Sequence, residues 1–279
     1  MARRLFTCFG RGTSSSNNNH IKSSITSDNA TADLTVEEQR RAGPIMVELF
    51  SSQGCAISPQ AELLLSKIGR GDYNLEIPVI LLGYHVDIWD YMGWKDPFGS
   101  SQWTVRQKAY VEALQLDNLS TPQIVVQGRA QCVGNDEVDL EETLLSLIKS
   151  APRFPAPTFQ VTFQRPSPNS LVVSLNGALR TKIDNNGVDV MVALYECGLV
   201  TNCDKGENKD RVLKNDYVVR KLEKLCSVKD IAPKKTVSGT VEFSLWDGFN
   251  SSKCGVSIFL QNSSHQIFGS QKFQLPTNL

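Results

Sequence analysis

A single cysteine, Cys55, stands in "SSQGCAISPQ" between an apolar run and an apolar helix pattern. The chemistry open to it is nucleophilic: a thiolate attacks a disulfide sulfur, and at an ordinary pKa of about 8.5 a thiol is only slightly ionised at neutral pH. The local sequence is Cys55-Ala56-Ile57-Ser58-Pro59, so a hydroxyl occupies the position where a dithiol site needs its second sulfur. Ser58 thus excludes dithiol reduction at this motif. It leaves exchange by one thiol, with an external thiol such as glutathione resolving the mixed disulfide. A small, inert buried cysteine is the competing reading. Activation would come from a helix N-terminus, with its unpaired N–H groups and partial positive charge. Local rules allow two placements. Ser58 as N-cap and Pro59 at the first helical position would leave Cys55 in the preceding loop; alternatively the helix begins at Cys55 and carries Pro59 in its first turn.

The second constellation is the loop "HVDIWDYMGWKDPFG", residues 85–99. His85, Asp87, Asp90 and Asp96 supply acid–base groups, but one His with three Asp is a poor transition-metal set, and no metal is assigned. The expected role is structural, with the Asp residues capping turns and Trp89, Trp94 and Phe98 covering the domain surface toward the second half of the chain. His85 and Trp89 are kept as pocket candidates. Cys132 sits mid-strand in "RAQCVG" and reads as a small buried residue. Cys197, Cys203 and Cys226 lack zinc-finger spacing. The run "GENKDRVLKNDYVVR" carries both charge signs and reads as a solvated hairpin or loop, with room for an interface.

These residues need elements to position them. "PIMVELF" (44–50) and "IPVILLGY" (77–84) read as strands around a helix in "PQAELLLSKIG" (59–69). A second helix is predicted over 100–116 behind N-capping serines. Two short strands follow at 121–128 and 129–134, then an amphipathic helix over 136–150 with acids in its first turn. The order β-α-β-α-β-β-α is that of a thioredoxin-like domain. "SAPRFPAPTF" has three prolines and no period, so a linker is placed at 151–158. Beyond it the period becomes two, as in Phe159, Val161 and Phe163, or Val256, Ile258 and Leu260. The expected fold class is an α/β thioredoxin-like domain (44–150) followed by an all-β antiparallel sandwich-like domain (159–279).

Composition narrows the partners. Lys plus Arg and Asp plus Glu both number 29, so there is no electrostatic case for nucleic acid. The apolar runs are too short for a transmembrane segment. Seven cysteines without framework spacing fit a reducing, cytoplasmic setting. Residues 1–43 read as a disordered leader. Being Ser-rich and acid-poor, that leader leaves organelle targeting as the alternative.

"VELFSSQGCAISPQAELLL", "YHVDIWDYMGWKDPFGS", "RQKAYVEALQL", "TPQIVVQGR" and "GENKDRVLKNDYVVRKL" together resemble the thioredoxin-like family catalogued as domain of unknown function 1223. The resemblance spans roughly residues 44–275. It implies that Cys55 holds the nucleophile position and Ser58 a former resolving position. It also implies a cis-proline at Pro122, after Thr121, facing them across a groove, since sequence alone favours trans. Two functions follow as expectations. One is monothiol, glutathione-dependent exchange with protein or glutathione thiols and disulfides, with glutathione as co-substrate and no bound cofactor. The other is a redox-inactive binding or scaffold protein.

Overall fold

The computed structural model describes residues 42–134, 139–181, 187–229 and 235–279. Residues 1–41 of the expected leader, and 136–138 at the start of the expected third helix, lie outside the described residues.

The first half contains β1 (Ile45–Ser51), α1 (Ser58–Arg70), β2 (Val79–His85), α2 (Ser101–Ala113), β3 (Gln123–Val126), β4 (Ala130–Val133) and α3 (Leu140–Ser150). The second half contributes β5 (Thr158–Ser167), β6 (Ser170–Ala178), β7 (Val188–Glu196), β8 (Leu199–Cys203) and β9 (Arg211–Asn215). It ends with β10 (Val218–Val228), β11 (Thr236–Ser244), β12 (Cys254–Gln261) and β13 (Ile267–Gln274). The order of elements in the first half is the one the sequence predicts. Their assembly is not.

The expected arrangement, an α/β thioredoxin-like domain followed by a separate antiparallel sandwich, is overturned by one continuous mixed sheet of eight strands. Its order is β13-β12-β7-β10-β2-β1-β3-β4. β10 joins β2 in parallel at Val218 and Gly83, where the Gly83 N–H donates to the Tyr217 carbonyl at 2.7 Å. The remaining strands form a three-stranded sheet, β11-β6-β5, and the β8-β9 hairpin.

The physical reason lies in β7, which is apolar on both faces. Val188, Val190, Val192 and Leu194 pack with Phe159, Leu171, Val173 and Phe243 of the three-stranded sheet. The alternate residues Ala193 and Tyr195 pack instead with Met46, Phe50, Leu82, Tyr84 and Trp103 of the first half. Phe259 of β12 does the same. Each such side chain contributes roughly 1.5–3 kcal/mol when fully buried, so splitting the halves would expose a core shared by both. The period-two layer packing predicted for the second half exists, but one of its layers is the sheet that also carries β1–β4.

Local chemistry sets the helix that follows the cysteine. α1 has Ile57 as its N-cap with no side-chain cap, Ser58 as its first residue and Pro59 next. It ends at Arg70, with Gly71 in the left-handed region at φ 85° and its N–H satisfying the Ile68 carbonyl. Gly69, expected as the stop, is helical. A Cβ there would lie 2.0 Å from the Tyr217 hydroxyl, so glycine lets the second half approach. α2 begins where predicted, with Ser100 accepting the Gln102 N–H at 3.2 Å. Asp139 caps α3 through the Glu142 N–H at 3.0 Å.

Candidate functional site

β1 delivers the chain into a tight turn before α1. The Cys55 N–H donates to the Ser52 carbonyl at 3.1 Å, and the Gly54 N–H donates to Ser52 Oγ at 3.1 Å. Cys55 therefore lies two residues ahead of the N-cap, outside the helix, and neither of the two predicted placements describes α1 in full. Ser58 Oγ makes no hydrogen bond to the sulfur, whose partner is the Thr121 carbonyl. It accepts the Ser52 N–H at 3.3 Å and so fixes the turn rather than the thiol.

The cysteine thiol donates to the Thr121 carbonyl oxygen, with Sγ at 3.5 Å. The Thr121–Pro122 bond is cis, as the resemblance implied. Trp89 Nε1 donates to Thr121 Oγ1 at 2.6 Å, and Gly54 gives Trp89 room, since a Cβ at Gly54 would lie 2.9 Å from Trp89 Cβ. Cys55, Trp89, Thr121 and Pro122 thus meet at one corner. Cys55 is 7% exposed. Pro122 also lines a cleft of about 370 Å³, with Ile57, Leu63 and Leu64 on one wall and Leu140 on the other.

His85 belongs to a different cluster. Its Nδ1 bonds Asp96 Oδ2 at 2.7 Å, and its Nε2 stands 3.3 Å from Glu62 Oε1, an ion-pair distance without hydrogen-bond geometry. Burial by itself pushes the imidazole down, but Asp96 and then Glu62 outweigh it and raise the pKa to about 10. Asp96 is pushed up by its own burial and pulled down further by His85 and by the Gln53 and Phe98 N–H groups, so its carboxyl titrates below the ordinary range. Ser51 Oγ donates to Glu62 Oε1. His85, Glu62, Ser52 and Ser58 line a second cavity of about 240 Å³. The imidazole is thus a buried, charged structural residue, and it shares this cavity with Ser58 but not with Cys55.

The second half holds the turn in place. Asn208 Nδ2 donates to the carbonyls of Gln53 and Cys55, each at 2.9 Å. Gln53 Nε2 reaches Asn215 Oδ1 at 2.9 Å and Thr201 Oγ1 at 3.1 Å, while Trp94 Nε1 donates to Gln53 Oε1 at 3.1 Å. The segment expected to be a solvated hairpin or loop with room for an interface does pair β9 with β8 as a hairpin, and its Asn208 and Asn215 also clamp the cysteine turn. Phe98, expected to cover this surface, lies under the Arg220 guanidinium at 5.3 Å.

Gln53, Glu62, Asn208 and Asn215 escaped the sequence reading. Glu62 had a signal: Ser58, Glu62 and Ser66 recur every four residues, which puts three polar groups on one helix face. All three are buried. Asn208 had none beyond its place in "GENKD". Of the other thiols, Cys132 is buried and pushed up to about 11 by that burial, as a packing residue would be. Cys197 is only partly buried, yet desolvation is again the main cause that pushes its thiol up to about 11, and its sulfur accepts the Tyr217 N–H at 3.4 Å. No disulfide joins the six described cysteines. Among the described residues no helix is long and apolar enough to cross a membrane, and no group of three or more His, Cys, Asp or Glu is arranged to hold a metal.

Two solved structures share this architecture. Protein AGR_C_4864 from Agrobacterium tumefaciens is 25% identical with a TM-score of 0.56, over 83% of this chain and 94% of its own. HBP35 of Porphyromonas gingivalis is 14% identical with a TM-score of 0.58, over 84% of this chain and 76% of its own, a likeness of fold alone. No curated protein matches the chain. Residues 46–261 match the family described as "Protein of unknown function (DUF1223)", and the chain belongs to that family.

Proposed function

We propose that the protein carries out thiol–disulfide exchange through Cys55 alone, with glutathionylated protein thiols as substrate and glutathione as co-substrate. The observation that carries this reading is the thiol held 3.5 Å from the carbonyl that precedes the cis Thr121–Pro122 bond. A nucleophile whose direction is set in advance loses less entropy on reaction. In the first step the Cys55 thiolate attacks the glutathione sulfur of a mixed disulfide. A Cys55–glutathione disulfide forms and the protein thiolate leaves. In the second step a glutathione thiolate attacks the same glutathionyl sulfur, releasing oxidised glutathione and regenerating Cys55. Each full cycle consumes one mixed disulfide and one glutathione and yields one protein thiol and one oxidised glutathione, so the number of disulfides is unchanged. Ser58 keeps the first intermediate from closing on itself. With 7% of its surface exposed, Cys55 reacts when the turn opens, so turnover is slow beside that of an exposed thiol. A reducing compartment such as the cytoplasm supplies the glutathione.

The test is release of peptide thiol from a glutathionylated peptide by the full chain and glutathione, with the Cys55→Ser and Ser58→Ala variants in parallel. Activity that survives in Ser58→Ala and disappears in Cys55→Ser is the expected pattern. Equal rates with and without Cys55 would sink the proposal.

One observation favours a binding role instead: Pro122 lines the 370 Å³ cleft, whereas Cys55 lines neither that cleft nor the 240 Å³ cavity. Under this reading an apolar peptide side chain occupies the cleft beside the half-exposed Leu63. Leu63→Asp then weakens apolar-peptide binding by about tenfold, and Cys55→Ser leaves it unchanged. The opposite ranking in a peptide titration would reject it.

A further inference from the structure

A cavity of about 240 Å³ lies between α1 and β9. Behind its inner wall the His85 imidazole stands between Glu62, which lines the cavity, and Asp96, which does not. Glu62 is 3% exposed and lines the cavity. Its Oε1 meets Ser51 and His85, but Oε2 is buried and has no donor among the described residues. A buried carboxylate oxygen without a donor is destabilising, and a ligand's N–H groups would satisfy it. Arg70, Arg211 and Lys214 line the same cavity from exposed positions, and the Asp216 carboxylate that also lines it is already held by the Ser66 hydroxyl and the Gly198 N–H. Arg70 already pairs with Asp72, and Arg211 already donates to Asn208. Lys214 lines the cavity and makes no ion pair among the described residues.

A buried carboxylate oxygen at one end and exposed cations at the other select opposite charges in one molecule. We propose that this cavity is a binding site for a small zwitterion, an amine that also carries a carboxylate. Its ammonium donates to Glu62 Oε2, and its carboxylate faces Lys214 with Arg70 and Arg211. The size is consistent: an engineered cavity of about 150 Å³ admits benzene, so this one takes a ligand of on the order of ten non-hydrogen atoms. Ser52 and Ser58 supply neutral hydroxyls to the wall. The site does not depend on Cys55 chemistry, since Cys55 is absent from its lining.

Calorimetric titration of the full chain with four probes decides the matter: L-glutamine and 5-aminovalerate as zwitterions, pentylamine as the cation alone and pentanoate as the anion alone. At least one zwitterion is expected to bind saturably and about tenfold or more tighter than either half-ligand. Glu62→Gln, which keeps an acceptor for Ser51, lowers zwitterion and pentylamine binding by about tenfold or more. Because Glu62→Gln could disturb folding, Lys214→Glu provides an exposed second variant. It weakens the zwitterion and does not weaken pentylamine, whose ammonium a new carboxylate attracts. Absence of saturable binding by both zwitterions, meaning that the cavity holds water only, overturns the inference. So does binding that is indifferent to both substitutions.

Discussion

Asn208 donates through one amide nitrogen to the carbonyl of Cys55, 153 positions earlier in the chain, at 2.9 Å. The same nitrogen reaches the Gln53 carbonyl at 2.9 Å, so a residue of the second half holds the backbone of the Cys55 turn. Replacing it by Ala strands two buried acceptors. Asn208→Ala is expected to lose about 2–4 kcal/mol of stability, at about 1–3 kcal/mol for each group left unpaired, softened by partial hydration. Urea unfolding measures the loss. Alkylation of Cys55 should quicken in the same variant, and an unchanged rate would show that Asn208 does not hold the turn closed.

His85 gives the fold a definite pH dependence. Its folded pKa of about 10 lies above the ordinary 6.5, so its contribution is fully present below pH 6.5 and is lost as pH rises toward 10. Asp96 is shifted down from 3.8, so its contribution is present above that value and is lost as pH falls through its depressed folded pKa. The urea midpoint should therefore decline on both flanks, with the alkaline decline between 6.5 and 10. His85→Gln should flatten that alkaline limb. A limb of the same slope in the variant would assign the effect to other groups.

Arg106 ties α2 to both halves of the core. Its Nε and Nη2 donate to Glu48 Oε1 at 2.9 and 2.7 Å, and its Nη1 reaches Gln261 Oε1 at 3.1 Å. Arg106→Met leaves the Glu48 carboxylate buried without its cation, at a cost of about 3–5 kcal/mol. The double substitution Glu48→Met with Arg106→Met should recover most of that loss, because no buried charge remains. A double-mutant cycle on thermal or urea unfolding reads the coupling.

Gly54 is a steric test of the corner. A Cβ there would sit 2.9 Å from Trp89 Cβ and 3.1 Å from the Trp89 carbonyl oxygen. Gly54→Ala should displace Trp89, weaken its hydrogen bond to Thr121 and cost about 1–3 kcal/mol. Trp fluorescence and the rate of Cys55 alkylation should both change. If neither moves, the turn has more slack than these contacts allow.

What the sequence by itself determined was local. The order of the first-half elements, the Ser100 cap, the Cys55-to-Ser58 motif and the alternation of the second-half strands all arise from periodicity and capping rules that act over a few residues. What only the tertiary structure decided was how the halves meet. β7 reads as a run apolar on both faces, and that pattern says both faces are buried without saying against what. Its two faces bury the cores of both halves, and once they do, β10 can pair with β2 and close one sheet. The same holds at the site. Ser58, Glu62 and Ser66 announce a polar helix face, but only the fold brings β9 across it, and only the fold sets Asn208 on the carbonyl of Cys55. Hydrogen-bond partners more than a hundred residues apart leave no period in a sequence, because the geometry that joins them belongs to the packed core.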